Sequence, residues 1–226
     1  MMKEKISIEF VSDISCLWCA IGYKNLEKAI NNLELQDKVE IEFQPFELNP
    51  NMTSGGQNLT EHLAEKYGNT PKTTSDFYQR VIDIGNNVGF KFALDNDIRI
   101  YNTFDAHRIL YWAKSKGKQV ELKLLLFKAY LTDHEDPGNH DVILRLVEEV
   151  GLDPTEAKNI LTSSTFVEEV KEEEQKWRSM NVEAVPSIVF GGKYMLQGAV
   201  PVEFYENVLT KILLEENLKD NKESMI

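Results

Sequence analysis

The sequence predicts an α/β protein in which β-elements at the two ends of the chain enclose a large all-helical insertion. Three observations carry this expectation. Ile6, Ile8, Phe10 and Val11 form a short run dense in β-formers, followed directly by helical periodicity from Cys19. From Asn58 to about Asn181 only helical segments with capping signals are visible. After Pro186 the β-pattern returns.

The elements follow in order. Residues 5 to 11 read as a central strand, and Ile21, Leu26, Ala29, Ile30 and Leu33 mark one face of a helix ending near Asn31-Asn32. Val39, Ile41 and Phe43 alternate with Glu40, Glu42 and Gln44, giving a second strand stopped at Pro45. Phe46 to Gly56 is loop by its Asn, Pro and Gly content. In the insertion, Asn58-Leu59-Thr60-Glu61 has the form of a capping box and Gly68 of a stop; Phe77, Val81, Ile84 and Val88 form the next stripe, ended by Gly89. Asn102 or Thr103 starts another helix, ending near Gly117. The segment Leu122 to Leu131, apolar nearly all round, belongs at the centre of the subdomain. Helices then run from Asn139 to Val150 and from Asp153-Pro154, and the charge run Glu168 to Lys176 is a solvated helix face. Ser187 to Phe190 and Tyr194 to Gln197, around the two-residue turn signal Gly191-Gly192, read as antiparallel edge strands. Pro201 at N1 opens a last amphipathic helix, and the polar tail Asn217 to Ile226 is expected to fray. The expected division is residues 1–57 and 182–226 as one domain and 58–181 as the inserted helical subdomain.

With 226 residues, 42% of them hydrophobic, the chain can bury one sizeable core or one core with an inserted subdomain. A net charge of -12 without a basic patch argues against nucleic acid as a partner. No apolar stretch reaches the ~20 residues of a membrane span, and no signal-type apolar region precedes the first strand, so a cytoplasmic location is expected. In a reducing compartment cysteines are more often catalytic than structural.

Both cysteines lie in Ser15-Cys16-Leu17-Trp18-Cys19, spaced C-x-x-C at a strand-to-helix junction. On a helix, residues three apart share a face, so the two sulfurs can approach bonding distance. A thiol at the helix start faces unpaired N–H groups and the positive end of the helix dipole, making Cys16 the candidate nucleophile and Cys19 the resolving thiol. Two alternatives are two inert core cysteines and a zinc site completed by His134 and His140. The spacing and placement of the cysteines oppose the first, and the long separation of the histidines opposes the second. No metal or cofactor is expected.

The order strand, C-x-x-C helix, strand, helical insertion, Val-Pro, hairpin, helix resembles the DsbA-like thioredoxin-fold oxidoreductases, and in detail their FrnE-type branch. The pieces that match are Asp13 to Cys19, Pro45-Phe46-Glu47-Leu48-Asn49-Pro50, Asn102 to Arg108, and Val185-Pro186. The resemblance implies a thioredoxin-like fold and a substrate thiol or disulfide docking beside the cysteines. Trp18 would then be a rim aromatic meeting substrate, and Val185 and Pro186 a substrate-binding loop, with a cis peptide bond, lying against Cys16. Glu9, Asp13 and His107 are candidates for a proton relay, each with a plainer reading as a packed, capping or surface residue. Leu17 stands where this branch commonly has proline, leaving the redox potential open.

The expected function is thiol–disulfide oxidoreduction or disulfide isomerisation on protein, peptide or small thiols, with glutathione a further candidate partner. The competing reading is a glutathione-dependent isomerase or transferase of the 2-hydroxychromene-2-carboxylate isomerase or kappa-class type. Those relatives use a Ser where Cys16 stands and carry Asp-Arg after the hairpin glycine, whereas Ala199-Val200 follows Gly198 here. A non-catalytic adaptor is the third reading, disfavoured by the intact cysteine pair. A monomer or homodimer is expected.

Overall fold

A computed structural model describes residues 5–223. Strand β1 (Ile6–Ser12) runs into helix α1 (Leu17–Asn32), and β2 (Val39–Pro45) returns parallel to β1 in the register Ile6↔Val39 to Ser12↔Pro45. Parallel strands need such a helical crossover. The hairpin β5 (Ser187–Phe190) and β6 (Tyr194–Gln197) completes a sheet of order β2-β1-β5-β6, with β5 antiparallel to β1. Paired on both sides, by β2 and β5, β1 buries Ile6, Ile8, Phe10 and Val11, the last three fully. This is the thioredoxin-like architecture expected.

Between β2 and β5 the chain forms α2 (Leu59–Tyr67), α3 (Pro71–Val88), α4 (Phe104–Ser115), α5 (Gln119–Leu131), α6 (His140–Glu149), α7 (Pro154–Leu161) and α8 (Val167–Ser179). Most signalled caps are present, but the reciprocal capping box is formed by Thr70 and Thr73 at the start of α3 and not by Asn58 and Glu61. Asn58, Asn139 and Asp153 accept N-terminal N–H groups, and Gly68 and Gly89 take left-handed backbone at φ 71 and 79. Helices α4, α5 and α8 pack against β2. The side chain of Gln119 docks α5 there by pairing with both backbone groups of Phe43, each bond 2.9 Å.

Four expectations change. A two-stranded ribbon, β3 (Gln57–Asn58) and β4 (Arg99–Ile100), lies at the insertion, where two-residue strands leave no period to detect. Strand β5 is internal, because it bonds to both β1 and β6, and only β6 lies at the edge. The hairpin loop includes Lys193, whose N–H closes onto the Phe190 carbonyl. The last helix, α9 (Val202–Glu223), starts one residue after Pro201 and continues through Asn217 to Glu223; residues 224–226 of the tail lie outside the described residues. Helix α9 packs against α1.

Candidate active site

The two cysteines are free thiols at the junction of β1 and α1. Cys16 is the N-cap of α1, with extended backbone at φ -88 and ψ 110, and its side chain caps no N–H. The sulfur turns instead to the opposite loop, where its thiol donates to the carbonyl oxygen of Val185 at 3.5 Å. Val185 precedes Pro186 through a cis peptide bond. Cys19 lies in the first turn, its N–H bonded to the Cys16 carbonyl at 3.1 Å, and is fully buried. Burial pushes the Cys19 thiol well up, and the adjoining Cys16 sulfur adds to this. Two thiols of unequal access thus share one helix end.

Asp13 is the polar hub beneath them. One of its carboxylate oxygens accepts from Ser15 N–H at 3.3 Å, the Thr103 hydroxyl at 2.8 Å and His107 Nε2 at 3.4 Å. The other accepts from the Ser15 hydroxyl and the Leu48 N–H, both at 2.8 Å. Burial alone would raise this carboxyl, but hydrogen bonding to His107 and its charge, with the Leu48 and Thr103 bonds, hold it down at about 2. Thr103, the N-cap of α4, therefore spends its hydroxyl on Asp13, and Asn102 Oδ1 accepts the Phe104 N–H in its place. His107 is buried, and burial lowers its basicity more than Asp13 restores it.

A groove of about 310 Å³ opens on Cys16. Trp18, half-buried, forms one wall with Leu17 and Leu48, and Leu63 and Phe77 of α2 and α3 form another. His62 and Lys66 supply the polar groups on the α2 side. Cys19 lines none of it.

The structure brings Cys16, Cys19, Asp13, His107, Trp18 and Val185 into one region, with Gly22 of α1 facing the Pro186 ring. Glu9 is apart from it. That side chain is half-buried, and burial raises its carboxyl among Lys176, Glu42, Glu173 and Lys114, with neither cysteine among its charged neighbours. His134 and His140 bond separately to the Ala93 carbonyl and to Asp105, and the described residues contain no group of three or more His, Cys, Asp or Glu suited to a metal.

One group went unseen in the sequence. Lys123, fully buried in α5, places its ammonium over the rings of Phe43 and Phe127, 5.4 and 5.0 Å from their centroids, and has no hydrogen-bond partner among the described residues. Burial pushes it down to about 8, against the pull of Cys19, Asp13 and Cys16. It shares α5 with the exposed Glu121 and Lys128, so the sequence alone did not mark it out.

Residues 7–210 match the model of the DSBA-like thioredoxin domain. The chain belongs to that family. Among curated proteins it is similar to the uncharacterized protein YwbO of Bacillus subtilis, 24% identical over 207 residues that cover 91% of this chain and 96% of YwbO. Among solved structures it is similar to the probable DsbA oxidoreductase SCO1869 from Streptomyces coelicolor, with TM-score 0.84, 26% identity, and 91% and 89% of the two chains covered. The cytosolic disulfide reductase DsbM from Pseudomonas aeruginosa, solved with GSH, shares the DSBA-like fold at TM-score 0.62 and 14% identity, over 91% of this chain and 98% of its own. A 2-hydroxychromene-2-carboxylate isomerase shares it at 0.70 and 13%, over 93% and 98%.

Proposed function

We propose that this DSBA-like protein is a thiol–disulfide oxidoreductase of the FrnE-type branch, working in the cytoplasm on protein or peptide disulfides, with a small thiol such as glutathione as its redox partner. The observation that carries the reading is the position of Cys16, which meets the groove and the Val185 carbonyl while Cys19 is sealed behind it. Cys16 thiolate attacks a substrate disulfide, one substrate sulfur leaves, and Cys19 then displaces the other to close the Cys16–Cys19 disulfide. Trp18, Val185 and Pro186 hold the substrate segment, Asp13 and His107 support the loop that carries Cys16, and Glu9 takes no part. The domain division at 57/58 and 181/182 belongs to the same reading, as the insertion supplies the far wall of the groove.

Reduction of insulin or rescue of a scrambled disulfide protein tests this. Turnover is expected and should vanish in Cys16→Ala. Glutathione-dependent isomerisation of a hydroxychromene carboxylate without any disulfide exchange would overturn it in favour of the isomerase reading.

A further inference from the structure

The groove at Cys16 does not end at α2. A second depression, of about 620 Å³, adjoins it, and Leu48, Asn49 and His62 line both, forming a saddle between them. On the Cys16 side the lining is mainly apolar. Beyond the saddle it is mainly polar, with Asn51, Thr53, Gln57 and Glu65 along the β2–β3 connection and α2. The chain has a net charge of -12, yet no acidic residue lines the Cys16 side, and the depression has only Glu65, which accepts from the Gln57 amide at 2.8 Å. The continuous track is therefore close to neutral on the surface of an acidic protein.

The walls of the depression are held by the chain's own bonds. Turns close from the Met52 N–H onto the Asn49 carbonyl at 3.0 Å and from the Gly56 N–H onto the Thr53 carbonyl at 2.9 Å. Arg99 of β4 grips the far end, donating to the carbonyls of Gly55 and Gly56 at 3.0 Å each. Gly56 has φ 63, and a Cβ there would collide with the Ile100 carbonyl and the Tyr101 ring, so glycine lets the loop lie directly on β4. At the saddle, Gln57 turns its carbonyl oxygen to His62 Nδ1 at 2.9 Å and its amide nitrogen to Glu65. That arrangement assigns the imidazole proton to Nδ1 and leaves Nε2 as an acceptor. Burial and the nearby Lys66 both lower the basicity of this ring.

We propose that the depression beyond the saddle is a distal subsite for an extended polypeptide segment, so that the preferred substrates are disulfides carried on unfolded chain. The assignment rests on the exchange mechanism proposed above and adds to it a site remote from Cys16. An extended chain alternates its side chains and leaves its N–H and C=O groups open on both edges, whereas a folded protein has already paired most of its own. With the substrate cysteine at Cys16, an apolar neighbour packs against Leu63 and Phe77, and the chain crosses the saddle, where His62 Nε2 accepts one of its N–H groups. Beyond it, the exposed Asn51 amide and Thr53 hydroxyl both donate and accept, which suits peptide groups of any sequence. A near-neutral track matches an uncharged backbone, and walls already fixed spare the cost of ordering them. A small disulfide fills only the Cys16 side.

Three peptides, each with one cysteine as its mixed disulfide with thionitrobenzoate, test this against the reduced protein. The first is a cysteine with blocked ends; the others carry the same uncharged extension, with an apolar residue next to the cysteine, on the N-terminal or on the C-terminal side. The second-order rate constant for thionitrobenzoate release is read for each. Because the track leads away from Cys16 in one direction, one extended peptide should react about tenfold faster than the short one, the worth of one or two hydrogen bonds, and the other should not. Thr53→Trp and Asn51→Trp, at exposed positions, should each abolish that gain by filling the depression while the short peptide reacts as before. Equal rates for all three peptides, equal gains from both extensions, or a gain that persists in both variants overturns the proposal. Absence of release from every peptide, or release that persists in Cys16→Ser, would sink the exchange mechanism and the subsite with it.

Discussion

The Cys16 thiol meets the carbonyl oxygen of Val185 at 3.5 Å across 169 residues of sequence. That contact joins the helix start to the loop before β5 and leaves the sulfur on the groove side, while Cys19 has no exposed surface. Limiting iodoacetamide near neutral pH should therefore alkylate Cys16 first, and Cys19→Ser should accumulate mixed disulfides that disappear when Cys16 is also replaced. Preferential labelling of Cys19 by peptide mapping would reverse the two roles.

Gly22 fixes how closely α1 approaches the same loop. A Cβ there would lie 3.1 Å from the Pro186 ring and 3.5 Å from the Tyr205 hydroxyl, and both belong to well-buried surroundings. Alanine gains up to about 1 kcal/mol of helix propensity against this crowding, so valine, bulkier and without that gain, is the sharper test. Gly22→Val should lower stability by about 1–3 kcal/mol through overpacking and alter the alkylation rate of Cys16 by displacing the loop. Urea unfolding indistinguishable from the parent would show that the contact has slack.

How much was legible depended on whether a residue's partners are near in sequence. The strands β1, β2, β5 and β6, the caps at Asn58, Asn139 and Asp153, and the C-x-x-C at a helix start all rest on local patterns. Asp13 was singled out, but its partners at 48, 103 and 107 come from three later segments, so its role as a hydrogen-bond hub had no local signature. The run Glu168 to Lys176 has the composition of a solvated face, yet Glu174 within it is buried and accepts the Glu47 N–H at 2.9 Å. Lys123 was hidden in a similar way. One of its two ring partners, Phe43, is a strand residue eighty positions earlier, and α5 also carries the exposed Glu121 and Lys128, so nothing local set Lys123 apart.

Acid should unfold this protein in two stages. His107 is less basic folded than free, so stability present above pH 6.5 begins to fall as pH drops below it. Asp13 is held at about 2 against an ordinary 3.8, so it contributes about 2 kcal/mol above pH 4 that is lost as pH falls through 2. Asp13→Asn replaces one acceptor oxygen by a donor among five donors, and should cost at least about 2 kcal/mol at neutral pH. Its urea midpoint should also change less than the parent's between pH 4 and 2. Parallel acid profiles for the two proteins would remove Asp13 as the cause.

Glu47 should limit stability on the alkaline side. Burial, reinforced by Glu174 and Asp13 and only partly offset by Arg178, pushes its carboxyl from 4.5 up to about 8. The folded protein keeps this proton to about pH 8, whereas the unfolded chain releases it near 4.5. The associated stability is therefore whole below 4.5 and lost progressively as pH rises through 8. The segment it belongs to is otherwise well tied: its N–H donates to Glu174, Arg178 donates to its carbonyl at 3.0 Å, and Asn102 reaches its side chain at 3.5 Å. Glu47→Gln keeps the shape of the protonated acid and has no proton to lose, so these contacts should survive. The variant should match the parent in urea below pH 5 and exceed it at pH 9, the gap opening between those values. Because every other titrating group is common to both proteins, a constant difference across that range would mean that Glu47 ionises in the folded state as freely as in water.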